Sequence, residues 1–283
     1  MDRAAPTLDL KGLKALVMWR DLAPMRTRDG LIECLHPLPW LLGSWALAAN
    51  ALWLLAFPCS FMFFLTALRL NHEAIHNNLG FGPRGHRVVL HMLSALMLGS
   101  NNAVAANHLH HHKHVMQPDD LEGKCGRMSG LQVLRYGPVF PVEMHRAAWA
   151  TKSPALRQRM RIDLLLNAFM IALFALTGWI TLGYHLLFVA IAQCLTAYFA
   201  VWITHRGCHG DDLIARTQRA PVINLVTYNM LLHLEHHLFP GVPVKRLNTL
   251  AARIDVLAPE ITAQARRVVG PRRPFITQIR SSK

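Results

Sequence analysis

Eight consecutive positions, Asn107-His108-Leu109-His110-His111-His112-Lys113-His114, carry five histidines, and the rest of the chain must fold so as to use them. Read as a helix turning about 100° per residue, His108, His111 and His112 stand at i, i+3 and i+4 and share one face. His110 and His114 fall off that face. The same H-x-x-H-H spacing returns at His233-Leu234-Glu235-His236-His237. Two further segments, His72 to His76 and His205 to His209, each supply an i, i+4 pair. Four segments far apart in sequence with matched spacings imply one site assembled in three dimensions. Imidazole nitrogen suits iron, zinc and copper.

The candidate ligands are His72, His76, His108, His111, His112, His205, His209, His233, His236 and His237. One zinc takes about four ligands, so this set exceeds the needs of a single ion. Two first-row metals fit better, and iron is the reading if the site handles oxygen. The five cysteines form no C-x-x-C pair, which removes support for a disulfide framework, a zinc ribbon or an iron–sulfur cluster. An all-histidine shell is neutral and favours a strongly oxidising site. Asp119 and Asp120 follow the second box and Asp211 and Asp212 follow His209; these carboxylates are expected to orient imidazoles through the far ring nitrogen. Glu73 and Glu235 lie inside boxes but off the ligand face, where positioning and plain solvation are equally open. The lone His86, His91, His145 and His185 read as ordinary packing or polar contacts. A reading from another class is a membrane zinc hydrolase of lipid amides, or a metal-binding receptor. Either needs about three protein ligands around one ion and leaves most boxes idle.

Hydrophobic residues make up 52% of the chain and charged residues 16%, ordinary proportions for a membrane protein with a polar side. The apolar run Leu38–Leu55 is long enough to span about 30 Å of hydrocarbon as a helix. Pro58 then marks a turn, and Cys59–Leu70 returns into His72. Leu79–Arg87 reads as a loop. Val88–Ala106 is interrupted by Gly99-Ser100-Asn101-Asn102 and reads as a buried or re-entrant helix. Pro118–Arg161 is polar and basic without strong periodicity. Leu164–Tyr184 and His185–Thr204 form a second hairpin that delivers His205, with Gly178 and Gly183 near its turn.

The expected fold is therefore an all-α integral membrane protein: two transmembrane hairpins, about four spans, and a helical cap holding the dimetal site. It forms a single domain over residues 1–283, with a surface segment at 1–30 and a basic tail at 254–283. Met1–Arg28 does not read as a cleavable signal, and Trp19 and Trp40 are candidates for headgroup anchors. The net charge is +14, yet neither hairpin turn contains Lys or Arg. All 30 Lys and Arg residues can lie on one side with both termini and every histidine motif, and the positive-inside rule makes that side cytoplasmic. No basic stripe interleaved with stacking aromatics supports nucleic-acid binding.

With order, spacing and hydropathy in view, the chain resembles the membrane-bound fatty acid desaturase superfamily. The resemblance rests on His72–His76, His108-x-x-His111-His112 and His233-x-x-His236-His237, and extends through HLEHHLFPGVPVKR at His233–Arg246. It implies two irons held by histidines, four transmembrane helices, and O2 with external electrons as co-substrates. His205 and His209 occupy the place where such enzymes supply further ligation, one of them through water. HLEHHLFP resembles acyl-lipid desaturases, while the H-x-x-H-H-x-H pattern and HRGCHGD are similar to bacterial carotenoid ketolases. Carotenoid hydroxylases share the plan. The chain departs from the common pattern at Glu73, where Asp is usual, at Asn77-Asn78, where a Gly often stands, and at Pro118-Asp119-Asp120, where Asp-Pro-Asp is usual. The expected reaction is O2-dependent diiron desaturation of a fatty acyl lipid in the membrane. Carotenoid ketolation or hydroxylation, or another lipid hydroxylation, is the alternative on the same scaffold. His36-Pro37 lacks the glycines of a cytochrome b5 motif, so electrons are expected from a separate ferredoxin or cytochrome-like carrier with its reductase.

Overall fold

The computed structural model describes residues 10–151, 153–208 and 214–269. Among them the chain is helical throughout, and the only bridge pairing is an isolated contact between Thr217 and Arg267. Helices α1 (Leu10–Leu16) and α2 (Thr27–Leu35) lead into α3 (Leu38–Ala49) and α4 (Trp53–Ile75). Here the sequence expectation is corrected. The run Leu38–Leu55 is not one span, because Ala51 takes φ 58° and closes α3 in a Schellman turn. Its amide bonds Ala48 O at 3.0 Å and that of Leu52 bonds Leu47 O at 2.9 Å. The 12 residues of α3 rise about 18 Å, short of a bilayer core. Pro58 lies inside α4 rather than at the turn. α3 folds back on α4, with Ser44 Oγ 2.6 Å from Ser60 Oγ.

The expected loop over Leu79–Arg87 is shorter than the sequence suggests. Pro83 opens α5 (Pro83–Met97), since a first-turn proline lacks only an amide that the helix leaves unpaired anyway. α6 (Asn101–Lys113) follows after a bend of 114° at Leu98–Ser100. Leu98 (φ 53°) and Gly99 (φ 148°) both take left-handed backbone there. A break of this kind leaves polar backbone groups that must be covered by protein. The covering groups come from three neighbouring helices. Gln193 donates to Met97 O at 2.8 Å, His185 to Leu96 O at 2.8 Å, and Asn167 to Gly99 O at 3.1 Å. His145 accepts from Ser100 N at 2.7 Å. The buried carboxylate of Asp163 gathers Ser100 Oγ, Asn102 Nδ2 and His91 Nδ1. His145 and His185 thus bond the backbone at the break, and His91 reaches it through Asp163.

Pro118–Arg161 resolves into α7 (Leu121–Gly126), α8 (Gly130–Tyr136), α9 (Phe140–Ala150) and the start of α10 (Pro154–Thr177). Sequence periodicity fails there because each helix is only two or three turns long. Gly178 (φ 61°) ends α10, placing the second turn at Gly178–Trp179. α11 (Ile180–Thr196) continues through a π-helical stretch, Ala197–Trp202, into α12 (Ile203–His205). Trp202 Nε1 donates to Met128 O at 2.8 Å and fixes that stretch against the α7–α8 connection. The chain closes with α13 (Pro221–Val226), α14 (His233–Leu238), α15 (Leu247–Leu257) and α16 (Pro259–Gln264). Leu234, Leu238, Leu250 and Ile254 pack these last helices onto Leu13 and Val17 of the N-terminal segment.

Three helices among the described residues are long and apolar enough to cross a membrane: Trp53–Ile75, Pro154–Thr177 and Ile180–His205. The bent pair α5–α6 makes up to four if it counts as one span. A fourth span therefore rests on α5–α6 and not on α3. Leu54 and Leu176 are 91% and 86% exposed, and Leu165, Phe169 and Leu187 also face outward. In water this surface would be costly; against lipid tails it is stable, and the protein is membrane-associated.

Candidate metal centre

Four helix ends bring the histidines together. His72 and His76 close α4, His108, His111 and His112 occupy the last turns of α6, His205 ends α12, and α14 carries the third box. Nine imidazoles converge through Nε2 in two sets. In the first, His72 lies 2.9 Å from His236, His76 3.1 Å from His108, and His112 3.2 Å from His108 and 2.9 Å from His236. In the second, His205 lies 3.2 Å from His111 and 2.9 Å from His233, which is 3.1 Å from His237. The tenth, His209, lies outside the described residues, as do Asp211 and Asp212.

The two H-x-x-H-H boxes exchange their middle members. His108 and His112, about 40° apart around α6, join the first set, and His111 turns to the second. His233 and His237 join the second, and His236 turns to the first. Each box therefore serves both sets, which fastens α6 and α14 across the centre.

Ring orientation is fixed from outside. Nδ1 of His108 donates to Glu122 Oε2 at 3.0 Å, Nδ1 of His111 to Asp120 Oδ2 at 2.7 Å, and Nδ1 of His205 to Ile214 O at 2.8 Å. With the proton on Nδ1, each Nε2 turns a lone pair inward. Asp120 faces the far ring nitrogen of a box histidine, His111. Asp119 does not: it contacts His110 Nε2 at 2.9 Å on the exposed side of α6. Glu122 was missed; it stands three residues after Asp119 in the same acidic stretch, the one signal that pointed to it. Glu73 and Glu235 are both buried, so solvation describes neither. Glu73 accepts from Val244 N at 3.2 Å, tying α4 to the chain after the third box. Glu235 accepts from Thr217 Oγ1 at 2.6 Å and Arg219 Nη2 at 2.5 Å, which anchors α14. Close approach also demands glycine at Gly126, where a Cβ would fall 2.8 Å from His205 O.

Burial, and then the neighbouring imidazoles, hold His233, His236 and His237 well below the usual imidazole pKa, so they are neutral near pH 7. Burial alone would raise Asp120 and Glu122. The hydrogen bond and charge of His111 hold Asp120 low, and the charge of His108 leads the same effect on Glu122. Burial opposes the charged form of His111, but the charge of Glu122 and the hydrogen bond and charge of Asp120 outweigh it and raise its pKa. Two buried anions therefore back the α6 side of the centre, while the third box is neutral. The donor set fits metal ions. Nitrogens about 2.1 Å from one ion stand about 3.0 Å apart at right angles and about 3.4 Å apart in a tetrahedron, and the observed Nε2 separations are of that size.

A membrane-associated helical frame that gathers two such imidazole sets has a histidine-box architecture whose donors could hold metal ions. The family model for fatty acid desaturase matches residues 44–267, which takes in every converging histidine, and the chain belongs to that family. Membership makes it an oxidoreductase of the desaturase or hydroxylase type that modifies lipid. No curated protein matches the chain.

Proposed function

We propose that the protein is an O2-dependent diiron enzyme that introduces a double bond into a fatty acyl lipid. The observation that carries this reading is the division of nine thiolate-free imidazoles into two sets at coordination spacing. A zinc hydrolase would use one ion and about three protein ligands, leaving the other set without a purpose. Two irons held by these sets would supply, with oxygen, the oxidation of an unactivated C–H bond. Direct ligation by His72, His76, His108, His112 and His236 on one side, and by His111, His205, His233 and His237 on the other, is part of the proposal. Asp120, Glu122 and the Ile214 carbonyl hold the rings in register. Removing two hydrogens from the acyl chain while O2 goes to two waters consumes two further electrons and two protons. A separate ferredoxin or cytochrome-like carrier with its reductase would supply the electrons.

A cavity of about 1130 Å³ gives a lipid somewhere to lie. Trp40, Met62, Leu225 and Val226 make its apolar wall, and Leu232 leads directly into His233. Arg69, ion-paired with Glu33 of α2 within that wall, stands about one turn before His72 on α4. By charge, we place the metal face and both termini on the cytoplasmic side.

One feature supports carotenoid ketolation or hydroxylation as a second reading. The Arg and Lys residues lining the cavity already face carboxylates: Arg69 pairs with Glu33, Arg219 with Glu235 and Asp255, and Lys245 with Asp29. Such a lining suits an uncharged lipid. Expression with an electron donor in a host making both precursor classes separates the readings. New acyl double bonds that vanish in His236→Ala support desaturation. Unchanged fatty acids with a metal-dependent keto- or hydroxycarotenoid transfer the function to the second reading.

A further inference from the structure

α6 presents a second group of donors on its outer side. His110 and His114 stand one helical turn apart, rotated away from His108, His111 and His112, and their rings stack with centroids 4.3 Å apart. Asp119 reaches back from the following turn to place Oδ2 2.9 Å from His110 Nε2. Ligand atoms of all three residues lie within 4.8 Å of one another.

We propose that His110, His114 and Asp119 form a separate, solvent-facing site for a divalent transition ion of the zinc type. Two imidazoles and one carboxylate match the donor preference of such ions and not of magnesium or calcium, which take oxygen. The His110–Asp119 contact by itself would be an ordinary exposed ion pair. His114 is what that pair leaves unexplained: its hydrogen bond is a long one, from Nδ1 to Gln117 Oε1 at 3.4 Å, while its ring is held against His110. The side chains of His110 and Asp119 are 41% and 59% exposed, so an ion can arrive and leave without opening the protein. Three protein ligands leave the remaining positions to water, which makes this the weaker and more exchangeable site.

Its place in the fold gives it a mechanical meaning. The consecutive histidines His110 and His111 meet the consecutive aspartates Asp119 and Asp120, one pair facing out and the other facing in. An ion in the outer site fastens to α6 the same turn that carries Asp120 to His111. The site does not depend on what occupies the inner histidines.

The test uses the full-length protein without a histidine tag, loaded with iron, stripped of loose metal with a mild chelator and dialysed against zinc. Iron and zinc are counted separately, iron before zinc is added. Wild type is expected to take up one zinc beyond its inner metal. His110→Ala and Asp119→Asn are each expected to weaken that zinc by at least about tenfold, or about 1.4 kcal/mol, with inner metal unchanged. Asp119→Asn keeps the side-chain size and guards against a folding defect. If the inner histidines hold zinc instead of iron, the outer variants still subtract one zinc, whereas His236→Ala subtracts from the inner set; the two ideas thus fail separately. Wild type with no extra zinc, or outer variants that bind it as tightly as wild type, would overturn the proposal.

Discussion

Asp120 Oδ2 lies 2.7 Å from His111 Nδ1, and both side chains are sealed from solvent, at 1% and 0% exposure. The carboxylate also accepts from Met116 N at 2.8 Å, so its position is set by the turn as well as by the ring. It holds one of the two crossing histidines that join the box helices.

Removing that carboxylate should cost metal before it costs fold. Asp120→Ala is expected to lower iron affinity by about 10- to 100-fold, the range for lost partners of ligating histidines. Asp120→Asn, which keeps an acceptor for Nδ1–H, should recover part of the loss. Iron retained against a graded chelator series measures this. Equal iron retention in wild type and Asp120→Ala would show that the contact does not position His111.

The inner and outer histidines of α6 should behave differently. His111→Ala or His236→Ala is expected to abolish turnover together with iron binding, because each ties the two sets together. His110→Ala should keep inner iron and measurable turnover. Product analysis beside elemental analysis of each variant decides, and a dead, iron-free His110→Ala would sink the assignment of faces.

Iron content itself is the most direct check on the proposed chemistry. Tag-free protein, cleared of loosely held metal, is expected to carry about two irons per chain, as the two ligand sets require. A reproducible single zinc without iron would promote the hydrolase.

Metal-free protein should lose stability on acidification. The folded chain holds His233, His236 and His237 below their ordinary pKa, so below about pH 6.5 the unfolded chain binds more protons. Stability then falls with pH, by about 1.4 kcal/mol per pH unit for each proton excluded from the fold. Chelated protein in detergent should melt lower at pH 5 than at pH 7.5. A flat melting profile across that interval would contradict the burial of neutral rings.

Membrane orientation is open to a fusion experiment. Reporters at Met1 and Lys283 are expected on the cytoplasmic side together, as the Lys and Arg distribution requires. Opposite sides would mean an odd number of crossings, with α5–α6 the first segment to re-examine.

The amino-acid order alone carried much of the centre. Spacing of three or four residues on a helix is local geometry, so H-x-x-H-H and the His72–His76 pair were legible as clustered imidazoles wherever those helices came to lie. The broken character of Val88–Ala106 was legible too, because Gly99-Ser100-Asn101-Asn102 interrupts an apolar run. The end of α3 at Ala49 was not, since an alanine taking a left-handed turn at Ala51 leaves no mark in hydropathy. Nor was the pairing of Glu122 with His108, fourteen positions away. Periodicity fixes the angle at which a side chain leaves its own helix. Which nitrogen it meets depends on where α12 and α14 pack, and that packing sent His111 across to His205 and His236 across to His72.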